Sequence, residues 1–209
     1  MGFFDIFRRR APIAGSRGLA DFIDDNAAFL MQKGLYEYSR ARAGPFAKVM
    51  MTEEPFLVAI EESRWRAYPL GLTMVSEMVE GVLRPHVAAS RQAALEALSA
   101  LVLGVFDRYP VPEALGAAVW ADERRELARQ LALIGIHPVK LVKDIPEPFA
   151  EKYFNYMPIH GRLRAPDFPA IRNYLKVQLC NIHDELTRRM DAPALAGEML
   201  RPSALQPNI

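Results

Sequence analysis

One cysteine, Cys180, stands in 209 residues, which excludes an internal disulfide and any metal centre built on several thiolates. A lone thiol suits a reducing compartment. A charge excess of one sign is missing too: 26 Lys and Arg oppose 25 Asp and Glu, for a formal net charge of +1. This balance gives no global pull toward nucleic acid, and no basic recognition helix stands out, so nucleic acid is not an expected partner. No apolar run approaches the roughly 20 residues that cross a bilayer. No segment alternates convincingly with strand period, and nothing repeats at solenoid spacing.

Catalytic signatures are lacking as well. The Gly-flanked serine of Gly15-Ser16-Arg17-Gly18 does not have the spacing of a nucleophile elbow and opens a helix. None of His86, His137, His160 or His183 follows a glutamate by three residues, as a di-iron carboxylate bundle requires. Phosphate loops, zinc motifs and dinucleotide fingerprints are absent. Cys180 and His183 have the i, i+3 spacing of helical neighbours, but a buried thiol beside a half-exposed histidine is the commoner arrangement. No catalytic residue, metal ligand or cofactor is therefore assigned.

What the chain does have is a one-sided start. Phe3, Phe4, Ile6 and Phe7 are followed directly by Arg8, Arg9 and Arg10. In a helix, Phe3 and Phe7 share a face, joined less squarely by Phe4 and Ile6, while the arginines reach toward anionic groups. This predicts a membrane-surface foot. Each arginine is worth roughly 1 kcal/mol near an anionic leaflet, and ordering costs roughly 1–2 kcal/mol per residue, so the expected association is weak, reversible and salt-sensitive. The competing reading is an arm whose phenylalanines pack on its own domain or on a neighbouring subunit. A signal peptide would carry its charges before the apolar part, and a myristoylation signal would need Ser or Thr where Ile6 stands.

At 51% hydrophobic and 24% charged, the remaining chain supports one well-buried core. The expected organisation is an amphipathic arm and linker over 1–15, a single helical domain over 16–190, and a C-terminal tail over 191–209. The expected fold is all-α, a single-domain bundle of about seven to nine helices with a proline-punctuated segment before the last long one. Ser16 is placed to cap a first helix that runs to Gly44-Pro45. Thr52 caps a second, ending at Tyr68-Pro69, and a strongly apolar third spans 70–83. Residues 86–109 form a central helix. A short helix follows over 113–119, and another is capped by Asp122. The stretch 144–167 holds one short helix among Pro146, Pro148, Pro158 and Pro166. Asp167 caps an amphipathic helix whose face carries Phe168, Ile171, Leu175, Leu179, Ile182 and Leu186.

Two Arg–aromatic clusters, Tyr36-Glu-Tyr-Ser-Arg-Ala-Arg42 and Arg64-Trp-Arg-Ala-Tyr-Pro69, supply the candidate ligand site. One reading is a pocket in which Arg40, Arg64, Arg66, Tyr68 and Glu77 hold an anionic molecule, with Arg42 alongside. The other is a set of buried arginines that tie helix ends to carboxylates. Glu77 attracts notice because Leu72, Met74, Val75, Met78 and Val79 surround it, and a carboxylate on so apolar a helix needs a partner. Glu62 with Arg66, and Glu80 with Arg84, have the spacing of ordinary helical ion pairs.

The basic, phenylalanine-rich start, the segment Leu133-Ile-Gly-Ile-His-Pro-Val-Lys-Leu-Val-Lys143 and the stretch Phe149 to Phe154 resemble bacterial helical chaperones for respiratory-complex assembly, over a small part of the chain. No residue role is carried over. The sequence leads first to a noncatalytic helical binding protein, cytoplasmic and at the inner face of a membrane, with a protein partner, as an accessory or assembly factor. The alternatives are an anionic-ligand domain or enzyme built on the Arg/aromatic/Glu pocket, and a homo-oligomeric structural protein.

Overall fold

The computed structural model describes residues 11–201; the proposed foot, Phe3, Phe4, Phe7 and Arg8 to Arg10, lies outside the described residues. The chain is an all-α bundle: α1 (Gly15–Ala43), α2 (Ala47–Met50), α3 (Glu54–Leu83), α4 (Arg91–Phe106), α5 (Gly116–Leu133), α6 (Glu147–Asn155), α7 (Gly161–Arg164), α8 (Phe168–Arg189) and α9 (Ala192–Met199). Of these, α2 and α7 are single turns. One isolated bridge pairs Ile13 with Met190.

The helical period is visible in what each helix buries. In α1, Leu19, Phe22, Ile23, Ala27, Leu30, Met31 and Leu35 face inward, and Gly44 ends the helix at φ 53°, which an L side chain rarely adopts. In α8, Ile171, Leu175, Leu179, Ile182 and Leu186 form the buried seam. Several local expectations need correction. Tyr68-Pro69 does not divide two helices: α3 is one helix of 30 residues with Pro69 inside it. An interior proline costs about 3 kcal/mol, but every residue from 67 to 80 is buried, so a break there would open the core. For the same reason α3, rather than the 86–109 stretch, is the central helix; α4 begins only at Arg91, after 3-10 turns at 84–86 and 88–90.

The side chains expected as caps act elsewhere. Ser16 lies within α1, and its backbone N–H and hydroxyl both donate to Glu198 of α9, at 2.8 and 3.1 Å. A carboxylate from the far end of the chain thus satisfies the donors at this helix start. Thr52 donates to the Val49 carbonyl, and Asp122 lies inside α5, paired with Arg125. Asp167 does stand at the α8 N-cap, but its carboxylate accepts from Tyr38 at 2.8 Å and pairs with Arg42 at 2.9 Å. The expected tail is ordered as far as α9, which buries Leu195, Ala196 and Met199 against α1, α3 and α4. The linker before α1 is fastened too, because the Ile13 N–H donates to the Arg189 carbonyl and Arg189 donates to the Ala11 carbonyl.

One stretch, Ala88–Phe106, is long and apolar enough to cross a membrane by length and composition, contrary to expectation. It carries Arg91 and Glu96 and packs into the bundle through Ala94, Leu98, Val102, Val105 and Phe106.

Candidate functional site

The five residues expected to form one pocket fall in separate places. Arg40, at the end of α1, is bonded to Glu37 at 2.8 Å. Arg64 pairs with Glu61 and lies 4.8 Å over the Trp65 ring. Arg66 pairs with Glu62 at 2.8 Å and reaches Glu123 of α5 at 3.9 Å. Each guanidinium thus has a carboxylate of its own. Tyr68 and Glu77 lie on α3 but belong to two different polar centres.

Tyr68 belongs to a node built on Asp24 of α1. The Tyr68 hydroxyl donates to Asp24 Oδ1 at 2.7 Å, the Tyr109 hydroxyl donates to the same oxygen at 2.8 Å, and Arg108 reaches Oδ2 at 3.2 Å. Arg108 also bonds Asp21 at 2.9 Å. Aromatic rings close over the node: Trp65 meets Tyr68, Tyr109 and Trp120 edge-on, and Phe106 stacks on Trp120 at 4.1 Å. Burial, and then the Asp24 carboxylate, push the Tyr109 hydroxyl up to about 12 and Tyr68 higher still. Both groups therefore keep their protons in the folded state at pH values where the unfolded chain, with tyrosines near ~10, has lost them. Their stabilisation is complete below pH ~10, and the Tyr109 contribution is lost as pH rises through about 12. The urea midpoint is expected to fall across this window, and Tyr109→Phe to flatten that fall; an unchanged slope would mean that Tyr109 is hydrated.

Glu77 lies in a groove of about 400 Å³ between the end of α3, the 137–145 segment and α8. Its lining is mostly apolar, with Met78, Val82, Val139, Val142 and Ile145 among the walls. Lys140 Nζ stands 2.8 Å from Glu77 Oε1 as an ion pair, and His137 Nε2 lies 3.3 Å from the same oxygen, neither with a directed hydrogen bond. His183 and Thr187 of α8 complete the polar rim. Beside it, Glu80 holds Arg84 through two hydrogen bonds of 2.8 and 2.6 Å, and Arg84 donates to the His137 carbonyl at 2.9 Å. The groove can seat a small amphipathic molecule, but its buried carboxylates already neutralise its cations.

A second cleft, of about 670 Å³, runs between α1 and α8 and is lined by Asp21, Phe22, Asp25, Ile182 and Arg189. Among the described residues, no group of three or more His, Cys, Asp or Glu side chains is placed to hold a metal ion. Cys180 is half-buried. Sequence reasoning passed over Asp24, Lys140 and His137 as site residues. The one available signal was the demand of Glu77 for a partner, and that demand does not say where along the chain the partner lies. Comparison with models of known protein families, with curated proteins and with solved structures finds no match.

Proposed function

We propose that the protein is a noncatalytic helical binding protein, an accessory or assembly factor that works at an anionic membrane surface through its first ten residues and offers a docking corner to a protein partner. The observation that carries the reading is the apolar surface where α1 turns into α3. Phe46 is 74% exposed, and Val49, Leu57 and Val58 beside it are also exposed. Leu163 of α7 is exposed too, and its carbonyl accepts from Arg42 near the end of α1. Isolated exposed apolar residues are ordinary, but several on one corner suggest contact with another molecule. Exposed Glu53 and Glu54, in no ion pair among the described residues, outnumber the one exposed Lys48 of α2 at this corner and favour a basic partner surface. The ligand-pocket alternative is weakened by the pairing of Arg40, Arg64 and Arg66 with their own glutamates.

Flotation of the full chain and of a variant lacking residues 1–10, with neutral and anionic vesicles at low and high salt, tests the membrane half. The expected result is association of the full chain with anionic vesicles only, weakened by salt and lost in the shortened variant. Association that survives removal of those residues would sink it. Light scattering on the same samples separates a further outcome: a dimer that Phe46→Ser dissociates would make the corner a self-association surface.

A further inference from the structure

We infer that the segment 133–143 is a second membrane-inserting element, seated at the pole of the bundle where the N-terminal residues leave it and directed at an anionic lipid bilayer. The inference rests on the membrane half of the proposed function and adds to it the face that meets the lipid.

This connection between α5 and the 3-10 turn at 142–144 presents its apolar side chains to solvent. Ile136 is 73%, Leu141 65% and Val139 52% exposed, with Leu133 exposed just before them. It is nonetheless held firmly. Arg91 donates to the Gly135 carbonyl, Arg84 donates to the His137 carbonyl, and Lys140 and His137 turn inward onto Glu77. The Gly135 and His137 carbonyls and the Lys140 and His137 side chains are thus engaged on the protein side while aliphatic groups face outward, the reverse of an ordinary solvated loop. A segment entering lipid needs this arrangement, since a carbonyl left without a partner there costs several kcal/mol.

The position of the segment favours a bilayer. Its groove shares His183 and Thr187 with α8, and three residues beyond Thr187, about 4.5 Å along the helix axis, Met190 bridges to Ile13. The described chain therefore begins, at residues 11–13, near the same end of α8 as this loop, across the helix from it. Lys143, Arg188 and Arg17 are exposed at the same pole, in no ion pair among the described residues, against the exposed carboxylates Asp184 and Asp191. The opposite pole carries Glu53 and Glu54. Weak single insertions become stable attachment when two act together, and the loop lies at the end of the bundle to which the N-terminal segment is tethered.

The test uses the full chain with Cys180→Ser and an environment-sensitive fluorophore on Leu141→Cys. Vesicles of phosphatidylcholine with added phosphatidylserine are expected to blue-shift this probe, while the same probe on Val49→Cys, at the α1–α3 corner, stays unshifted. In the parent chain, Ile136→Ser with Leu141→Ser is expected to weaken vesicle binding by at least about tenfold without lowering thermal stability, and Ile136→Leu to retain it. Foot-dependent vesicle binding with no shift at position 141 and no effect of the serine pair would overturn the inference, leave the foot standing and turn the loop into a protein contact. No vesicle binding by the full chain would overturn both.

Discussion

Asp24→Ala is expected to destabilise the protein by about 3–5 kcal/mol, the largest loss from any single polar side chain in the bundle. Asp24 is buried, at 8% exposure, and three groups from two other parts of the chain converge on its carboxylate: Tyr68, Tyr109 and Arg108. Truncation leaves the buried Tyr68 hydroxyl and the half-buried Tyr109 hydroxyl without their acceptor. An unmade hydrogen bond costs about 1–3 kcal/mol per buried group, whereas a made one contributes only about 1 kcal/mol net. Arg108 keeps Asp21 and water, so its share is smaller. Urea titration at pH 7 should therefore show a much greater loss for Asp24→Ala than for Tyr109→Phe, which removes one bond and orphans no hydroxyl. A loss near 1 kcal/mol for Asp24→Ala would mean that water already reaches the carboxylate.

Asp24 also marks where the sequence stopped being legible. Asp21, Asp24 and Asp25 are three carboxylates within five residues of the first helix, and nothing local separates the middle one. Its partner Tyr68 lies 44 residues on, and only the crossing of α1 with α3 brings the two together. Elements whose evidence is local were readable: Gly44-Pro45 ends α1 and the apolar seam of α8 runs as its period predicts. Pro69 misled because its local penalty is outweighed by the burial of its neighbours, which is a tertiary fact. The caps misled in the same way, since Ser16 could not announce that Glu198 would arrive from the other end of the chain. Glu77 was conspicuous for its apolar surroundings, but its need could not name Lys140 or His137. The Arg–aromatic clusters showed the opposite fault: with Glu61 and Glu62 in view beside Arg64 and Arg66, local pairing was the simpler outcome.

Gly71→Ala should carry a large penalty in spite of helix propensity. In an open helix interior the change stabilises by about 0.8–1 kcal/mol. Here the added Cβ would meet the Ala27 carbonyl oxygen at 2.7 Å and Met31 Cγ at 2.9 Å. Met31 can adjust, but the carbonyl belongs to the α1 backbone, so the methyl group can be accommodated only if two long helices separate. The expected net loss is about 2 kcal/mol, or roughly 4–8 °C in Tm. Gly104→Ala is the internal reference, because a Cβ at that position of α4 meets nothing within 4 Å, and it should raise Tm slightly. Equal effects at the two positions would mean that α1 and α3 do not touch at Gly71. The position also bears on the Asp24 node. Ala27 stands three residues after Asp24, and Gly71 three after Tyr68, so the close approach at Gly71 sets the spacing across which that hydrogen bond forms. Separating the helices at Gly71 stretches the bond that Asp24→Ala removes. The double variant should consequently lose less than the sum of the two single losses, by about 0.5 kcal/mol or more, and strict additivity would show that the close contact and the node act independently.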